Sequence, residues 1–482
     1  MEKSSIKKNY LYNLVYQIII LILPIITTPY ISRALGATNI GIYSFTVSIV
    51  TYFTLFGSLG VSLYGQREIA YVRENANKRK KTFIEIVLFR FITLAISMII
   101  FYFSFARSNE YQVYYRILLL YLLAASFDIS WFFQGLEDFK KTVTRNVIVR
   151  LLSVACIFLF VKKPEDLSKY LLIYSLADLL GNLSLWLYLP KYFKGIKIKH
   201  INLIKHTIPI ITLFIPQIAI KLYNTVDKTM IGYIISNKSE LGNYEEANKL
   251  INVLFTIVSS LGIVMVPRIA NVFASGDTKK LNDYIMKSFR FVFFLAFPIT
   301  FGIITISKEF VPIFLGSGYE KCYIIVNILA PIILLCGITN VIGTQYLLPT
   351  KRQKQYTISI LAGLIFDVAF NALLIPKYGA YGAALMTTFA QTLVVIIQCY
   401  YIKNDINIKN AFKEGINYAI AGIIMFIVCI ILGLLIKQAL LSIILKIIFG
   451  GITYIAILFF LKDEYIKIAM LTIANKLSKD NH

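Results

Sequence analysis

Charge is scarce in this chain. Only 15% of its 482 residues are Asp, Glu, Lys or Arg, against roughly a quarter in a soluble protein, and no polar stretch is long enough to form a separate soluble domain. Histidine occurs 3 times and cysteine 5 times. With no HExxH and no CxxC, neither a zinc site nor a disulfide framework is indicated. Cys156, Cys322, Cys336, Cys399 and Cys429 read as small core residues, four of them inside apolar runs. Alternating strands of about ten residues are missing, which excludes a membrane β-barrel. A nucleotide-binding motif and a DxD dyad are missing too. Glu137-Asp138 and Asp463-Glu464 are solvated loop pairs, so neither an enzyme nor a cofactor is expected.

What is present is apolar: 58% of the chain, with a mean hydropathy of +0.71. Between charge clusters run segments of Ile, Leu, Phe, Val and Tyr long enough to cross the hydrocarbon core, and in lipid such a run must be helix. The chain therefore reads as an all-α integral membrane protein. Fourteen spans fit, at 10–32, 40–65, 82–104, 112–134, 143–161, 167–190, 207–235, 245–270, 288–307, 322–347, 355–375, 379–402, 415–436 and 440–461. The first is too long for a signal-peptide core and lacks an A-x-A cleavage site, so it is read as retained.

The formal net charge of +24 would suggest nucleic acid in a soluble protein, but here the excess lies in short loops. The N-terminus, the even-to-odd loops and the C-terminus hold 29 Lys and Arg, and the odd-to-even loops hold 9. The positive-inside rule puts the first set, and both termini, in the cytoplasm.

An internal repeat is visible. Gly41-Ile42-Tyr43, Ser58-Leu59-Gly60 and Arg67 with Ile69-Ala70 correspond to Gly242-Asn243-Tyr244, Ser260-Leu261-Gly262 and Arg268-Ile269-Ala270. It implies two six-helix lobes, 1–190 and 207–402, parallel to one another around a central cavity that opens to either side by rocking. Residues 191–206 link them, and 403–482 add two helices and a cytoplasmic tail. The linker, KYFKGIKIKHINLIKH, reads either as an amphipathic helix on the anionic inner leaflet or as an ordinary positive-inside loop.

Three stretches then carry a resemblance: PIITTPYISRALGATNIGIYSFTVSIVTYFTLFGSLGVSLYG from Pro24, YNTVDKTMIGYIISNKSELGNYEEANKL around span seven, and NALLIPKYGAYGAALMTT from span eleven into twelve. The chain resembles the Wzx-type polysaccharide flippases of the multidrug/oligosaccharidyl-lipid/polysaccharide (MOP) exporter superfamily, over essentially its whole length. The resemblance implies movement of an undecaprenyl-diphosphate oligosaccharide between leaflets of the bacterial cytoplasmic membrane. A polymerase or ligase would then build capsule or another surface polysaccharide from it.

Such a cargo bears concentrated negative charge that must be met inside the bilayer. Arg offers phosphate a bidentate fork and Lys a mobile point charge. From the span boundaries, Arg90 lies about 12 Å, Arg150 about 10 Å and Lys221 about 21 Å from the inner ends of spans three, five and seven. These are the candidates for the diphosphate, with Lys228 and Arg116 as further contacts. Arg116 and Arg145 lie near enough to span ends to snorkel. The competing reading pairs the cations with Asp128, Asp178, Asp227 or Asp367 as structural ion pairs. Asp178 and Asp367, near mid-span, also suit a coupling proton or sodium ion. Pro24 and Pro29 in span one and Pro209 and Pro216 in span seven interrupt corresponding helices, as hinges of a transporter would.

Rival functions fit less well. A drug–cation antiporter of the same superfamily would favour acidic groups in its cavity. Flippases for the peptidoglycan lipid precursor resemble the same fold but carry arginine within the first helix, and span one here has no charge between Lys8 and Arg33. An integral-membrane polymerase would need a large external loop or a cytoplasmic domain.

Overall fold

The computed structural model describes residues 6–193, 201–463 and 465–467, and among these it is helical with no strand. Twelve of the described helices are long and apolar enough to cross a membrane, or up to thirteen if one bent pair counts as a span, where fourteen spans were expected. Two local features make the difference. The first two expected spans run together in α1 (Ile6–Ser58), which leaves helical geometry at Gly36 (φ 74°, ψ 163°), so that two helices meet there at a kink. The seventh is broken: α9 (Thr207–Tyr223) and α10 (Val226–Ile234) are separate. A bend of 42° also separates Ile204–Ile215 from Gln217–Tyr223, where Pro216 deprives the helix of a backbone donor. The other expected hinges behave differently. Helix α1 passes through Pro24 and Pro29 and kinks at Gly36 instead. Pro209 sits in the first turn of α9, where a missing N–H costs nothing.

The chain forms two compact units, Met1–Gly242 and Asn243–His482. This boundary falls later than the 191–206 linker, because α9, α10 and the first residues of α11 (Lys238–Ala274) go with the first unit. The middle of that linker, with its amphipathic reading, lies outside the described residues, as do Lys3, Lys476 and Lys479 near the ends of the chain.

In the first unit α1 is followed by α2 (Val61–Tyr71), α3 (Ala76–Phe101), α4 (Gln112–Phe127), α5 (Ser130–Gly135), α6 (Phe139–Phe160), α7 (Leu167–Trp186) and α8 (Pro190–Phe193). Leu59 and Gly60 both have positive φ and separate α1 from α2. Asn75 caps α3 by accepting from the Lys78 amide at 2.9 Å. Helix α2, the start of α3, α5 and the end of α7 converge on an aromatic core of Phe83, Trp131, Phe132, Phe133 and Trp186. A Cβ on Gly65 would sit 2.5 Å from the Trp131 ring, so only glycine lets α2 and α5 approach as they do.

The α1 residues after the kink make a continuous seam with α9, α10 and the start of α11, all within the first unit. Ala37, Gly41, Phe45, Ser48, Tyr52 and Phe56 recur at three- and four-residue spacing, one face of a helix. A Cβ on Gly41 would lie 1.8 Å from the Lys238 carbonyl oxygen, and one on Gly242 would lie 1.9 Å from that of Ala37. Phe45 meets Gly232 and Tyr233, with ring centroids 4.9 Å apart in the second pair. Thr229 Oγ1 bonds Ser48 Oγ at 3.0 Å and Tyr52 Oη at 2.8 Å. Phe56 meets Phe214 edge-on at 5.9 Å.

The second unit takes the rest of α11, then α12 (Thr278–Leu315), α13 (Cys322–Leu329), α14 (Pro331–Thr339), a π-helical stretch Asn340–Leu347, α15 (Gln353–Tyr378), α16 (Ala380–Ile402), α17 (Ile408–Leu435) and α18 (Ala439–Phe460). The α17–α18 hairpin is pinned to α12 by polar contacts at several levels. Arg290 Nη2 donates to Glu414 at 2.8 Å, Tyr454 donates to the Phe294 carbonyl at 3.0 Å, and Lys446 donates to Glu309 at 2.6 Å and to the Thr305 carbonyl at 2.9 Å.

Candidate functional site

The polar residues of the first unit form a stripe along α7. Tyr170, Tyr174, Asp178 and Asn182 recur every four residues and so lie on one helical face. That face meets α1, α4 and α6. Tyr43 of α1 packs on Tyr170 and Tyr174 at 5.0 and 6.1 Å between ring centroids, and Tyr121 of α4 stacks on Tyr174 at 5.5 Å. The charge of Arg150 on α6 bears on Asp178, Tyr121 and Tyr174. Asn182 accepts from Arg145 Nη1 at 3.1 Å and donates to the Ala124 carbonyl at 2.7 Å.

Arg90 stands apart from this stripe. It is buried, and its guanidinium donates to the Ala125 carbonyl at 2.7 Å, to Ser62 Oγ at 3.1 Å and to Asp128 Oδ2 at 3.4 Å. The other Asp128 oxygen accepts from the Ser130 amide and hydroxyl at 2.9 and 2.6 Å, closing the break between α4 and α5. Of the two readings offered for Arg90, the geometry is that of the ion pair. The Asp-Ile-Ser sequence at 128–130 carries the local signal, since Asp commonly bonds its own backbone two residues on. Arg116 is also occupied: it donates to the Ala106 carbonyl at 3.0 Å and to Gln112 at 3.2 Å, satisfying the end of the π-turn Tyr102–Ala106.

Arg150 and Lys221 are different. Among the described residues neither has a carboxylate within ion-pair distance, and both side chains are exposed in the structure. The charge on Lys228 of α10 bears on Lys221 of α9. Asp227 is buried beside Lys228 in the first turn of α10, where a carboxylate suits the helix N-terminus. Asp367 is buried on α15 with Asn371 one turn further along, inside the second unit.

Two polar clusters were not singled out in the sequence. In the second unit, Lys446 and Glu309 form a deep ion pair between α18 and α12. In the first unit, Glu85 on α3 is wholly buried and accepts from Lys205 Nζ at 2.6 Å, from the Asn202 amide at 2.9 Å and from His206 Nε2 at 3.1 Å. His206 Nδ1 in turn meets Tyr64 Oη at 2.7 Å. This clamps the end of the linker and the start of α9 onto α2 and α3. Glu85→Ala strands three donors and is expected to cost about 3 kcal/mol, read as a lowered unfolding midpoint of the purified protein. Glu85→Gln, which keeps an acceptor for the Asn202 amide, is expected to cost less.

Outside the spans, Arg352 donates to both oxygens of Asp405, with Nη2 at 3.1 Å from Oδ1. This contact ties the start of α15 to the α16–α17 turn, and the carboxylate holds the guanidinium above its usual pKa. The same turn borders a surface recess of about 790 Å³ lined by Asn282, Tyr400, Lys403 and Lys409. It is remote in sequence from the charges described above. Among the described residues no group of three His, Cys, Asp or Glu is placed to hold a metal ion.

Long apolar helices broken at glycine and proline define a multi-pass α-helical membrane protein. The chain belongs to the polysaccharide biosynthesis protein family, whose model matches residues 6–273. The model for lipid II flippase MurJ matches residues 244–459. The putative O-antigen transporter of Escherichia coli (strain K12) is 24% identical over 84% of this chain and 98% of its own length. In fold, the chain is similar to a lipid II flippase MurJ in an inward closed conformation (TM-score 0.75, 18% identity, 94% of this chain and 99% of that one). It is also similar to an inward-facing multidrug resistance MATE family transporter of the MOP superfamily (TM-score 0.58, 13% identity, 86% and 97%). These matches agree with the resemblance to Wzx-type flippases read from the sequence, and they make the chain a transporter and not a catalytic enzyme.

Proposed function

We propose that this chain moves an oligosaccharide linked to undecaprenyl diphosphate from the inner to the outer leaflet of a bacterial plasma membrane, for assembly of capsule or another surface polysaccharide. Both termini lie in the cytoplasm on this reading, and a polymerase that lengthens the exported sugar is the natural protein partner. The observation that supports it best is the pair Arg150 and Lys221: cations at span depth with no carboxylate within ion-pair distance among the described residues. A charge left unpaired in the membrane is costly and is kept where a ligand of opposite sign repays it. A diphosphate does so, entering a site whose donors replace the water it sheds. Lys228 adds charge beside Lys221. Arg90 and Arg116 hold helices in place, and a coupling ion is assigned to Asp178 or Asp367 on this reading. On this reading alternating access exposes the site to each leaflet in turn.

The test is made in cells lacking this gene. They are expected to lose surface polymer and to accumulate the lipid-linked oligosaccharide, with both defects reversed by the wild-type chain. Arg150→Ala and Lys221→Ala, at matched membrane levels, are expected to restore surface polymer at least about tenfold less well, the loss of one charged hydrogen bond to the cargo. Arg150→Lys is expected to fall between. Full restoration by both alanine variants would overturn the assignment of these cations. Accumulation of unlengthened sugar already on the outer leaflet would turn the reading to a polymerase.

A further inference from the structure

We infer that Tyr121 and Tyr174, backed by Tyr43 and Tyr170, form a platform for the sugar rings of the cargo, next to the cation that takes its diphosphate. The inference rests on the flippase reading and adds to it where the glycan, as distinct from the lipid phosphate, is held.

Three observations carry it. The first is depth. Counted from the helix ends expected to lie outside, Tyr174 is about 10 Å into α7, Tyr121 about 13 Å into α4, Arg150 about 15 Å into α6 and Asp178 about 16 Å into α7. All four stand at one level of the bundle, well past the interfacial belts where membrane tyrosines ordinarily collect. The second is chemistry. Tyr43, Tyr121 and Tyr174 are half-buried and only Tyr170 is buried. The aromatic core at the other end of this unit centres on Phe83, Trp131, Phe132 and Phe133, all fully or almost fully buried, with Tyr64 and Tyr192 beside them. Phenols at this depth keep hydroxyls in a place where phenylalanine would pack as well and need no partner. Tyr121 and Tyr174 meet that need partly by bonding each other, and their stacked rings lie 15° from parallel. An electron-rich ring face accepts the slightly positive C–H face of a pyranose, while the phenol and the adjoining Asp178 accept and exchange hydrogen bonds with its hydroxyls.

The third observation is adjacency. In a lipid-linked oligosaccharide the first sugar is bonded directly to the diphosphate, so a sugar site must border the phosphate site. Helix α7 packs on both α4 and α6, so Tyr121, Tyr174 and Arg150 stand at one level on neighbouring helices, and the Arg150 charge bears on both rings. The aromatic contacts join α1, α4 and α7, so a glycan held there touches three helices of the first unit at once.

Binding of two ligands to the purified full-length protein tests this. One is the lipid-linked oligosaccharide extracted from cells lacking the gene, and the other is undecaprenyl diphosphate with no sugar. Wild type is expected to bind the glycosylated lipid more tightly. Tyr174→Ala and Tyr121→Ala are expected to weaken that binding about tenfold, the scale of one lost ring contact with its hydrogen bond, and to leave the sugar-free lipid unchanged. Tyr174→Trp, which keeps a ring face, is expected to recover most of the loss, showing that the alanine variant's defect is not one of folding. Equal binding of the two lipids by wild type would overturn the platform while leaving the flippase reading intact. Equal weakening of both lipids in the variants, or no weakening, would overturn it as well. Binding of neither lipid by wild type would overturn the flippase reading and the platform together.

Discussion

Gly242→Val is expected to abolish transport and to lower the stability of the folded protein. A Cβ at this position would lie 1.9 Å from the Ala37 carbonyl oxygen and 2.8 Å from its carbon. Both neighbours are backbone, so no side chain can swing away. The helices must part by more than an ångström, and overpacking of this kind costs about 1–3 kcal/mol in a well-packed core. The contact is reciprocal. Ala37 and Gly41 stand to Lys238 and Gly242 as one copy of the repeat stands to the other, 201 residues on, and a Cβ on Gly41 would lie 1.8 Å from the Lys238 oxygen. On the proposed orientation this crossing is at the outer end of the seam. Gly41→Ala is expected to act in the same direction and less severely than Gly242→Val. The readouts are the thermal midpoint of the purified variants and their restoration of surface polymer. Wild-type behaviour of Gly242→Val in both would contradict the packing described.

The second large effect concerns Arg90 and separates a structural cation from a substrate cation. Asp128→Ala leaves a buried guanidinium with its carboxylate removed and also frees the Ser130 amide and hydroxyl at the α4–α5 break. A loss of about 3–5 kcal/mol is expected, enough to deplete folded protein from the membrane, given total stabilities of that order. Replacing both partners, Arg90→Leu with Asp128→Asn, removes the stranded charge while keeping an acceptor for Ser130. This double variant is expected to recover a good part of the loss. Were Arg90 a diphosphate ligand, the double variant would fold and still fail in transport. On the present account its transport recovers with its folding. Thermal midpoints and surface polymer, measured on Arg90→Leu, on Asp128→Asn and on the double variant, close the cycle.

The helices were legible from the sequence because lipid leaves the backbone no alternative, and the apolar runs between basic loops mark them directly. Their joints were less so. Gly36 ends a helix only because its backbone enters a region that other residues avoid. A single glycine between two apolar runs does not announce whether the chain turns into a loop or merely kinks. The Ser-Leu-Gly repeat shows the same limit. In the first copy Leu59 and Gly60 take positive φ and break the helix, whereas in the second α11 runs straight through Gly262, which instead makes room for Asn340 and Gln345.

Depth along a span could be counted, and Arg90, Arg150 and Lys221 stood out for that reason. Rotation about the helix axis could not be fixed without knowing the neighbours. That rotation is what turns Arg90 onto Asp128. Glu85, His206 and Tyr64 were invisible for a related reason: they come from three segments far apart in the chain, and none is unusual in its own stretch.

Transbilayer movement of the cargo itself decides the central claim. Purified protein is reconstituted into liposomes containing a fluorescent undecaprenyl-diphosphate oligosaccharide, and a membrane-impermeant quencher or glycosidase reports the fraction on the outer face with time. Protein-dependent movement by wild type, reduced about tenfold or more by Arg150→Ala and Lys221→Ala in folded protein, is the result this account predicts. Liposomes in which wild-type protein moves the lipid no faster than empty bilayers would contradict it.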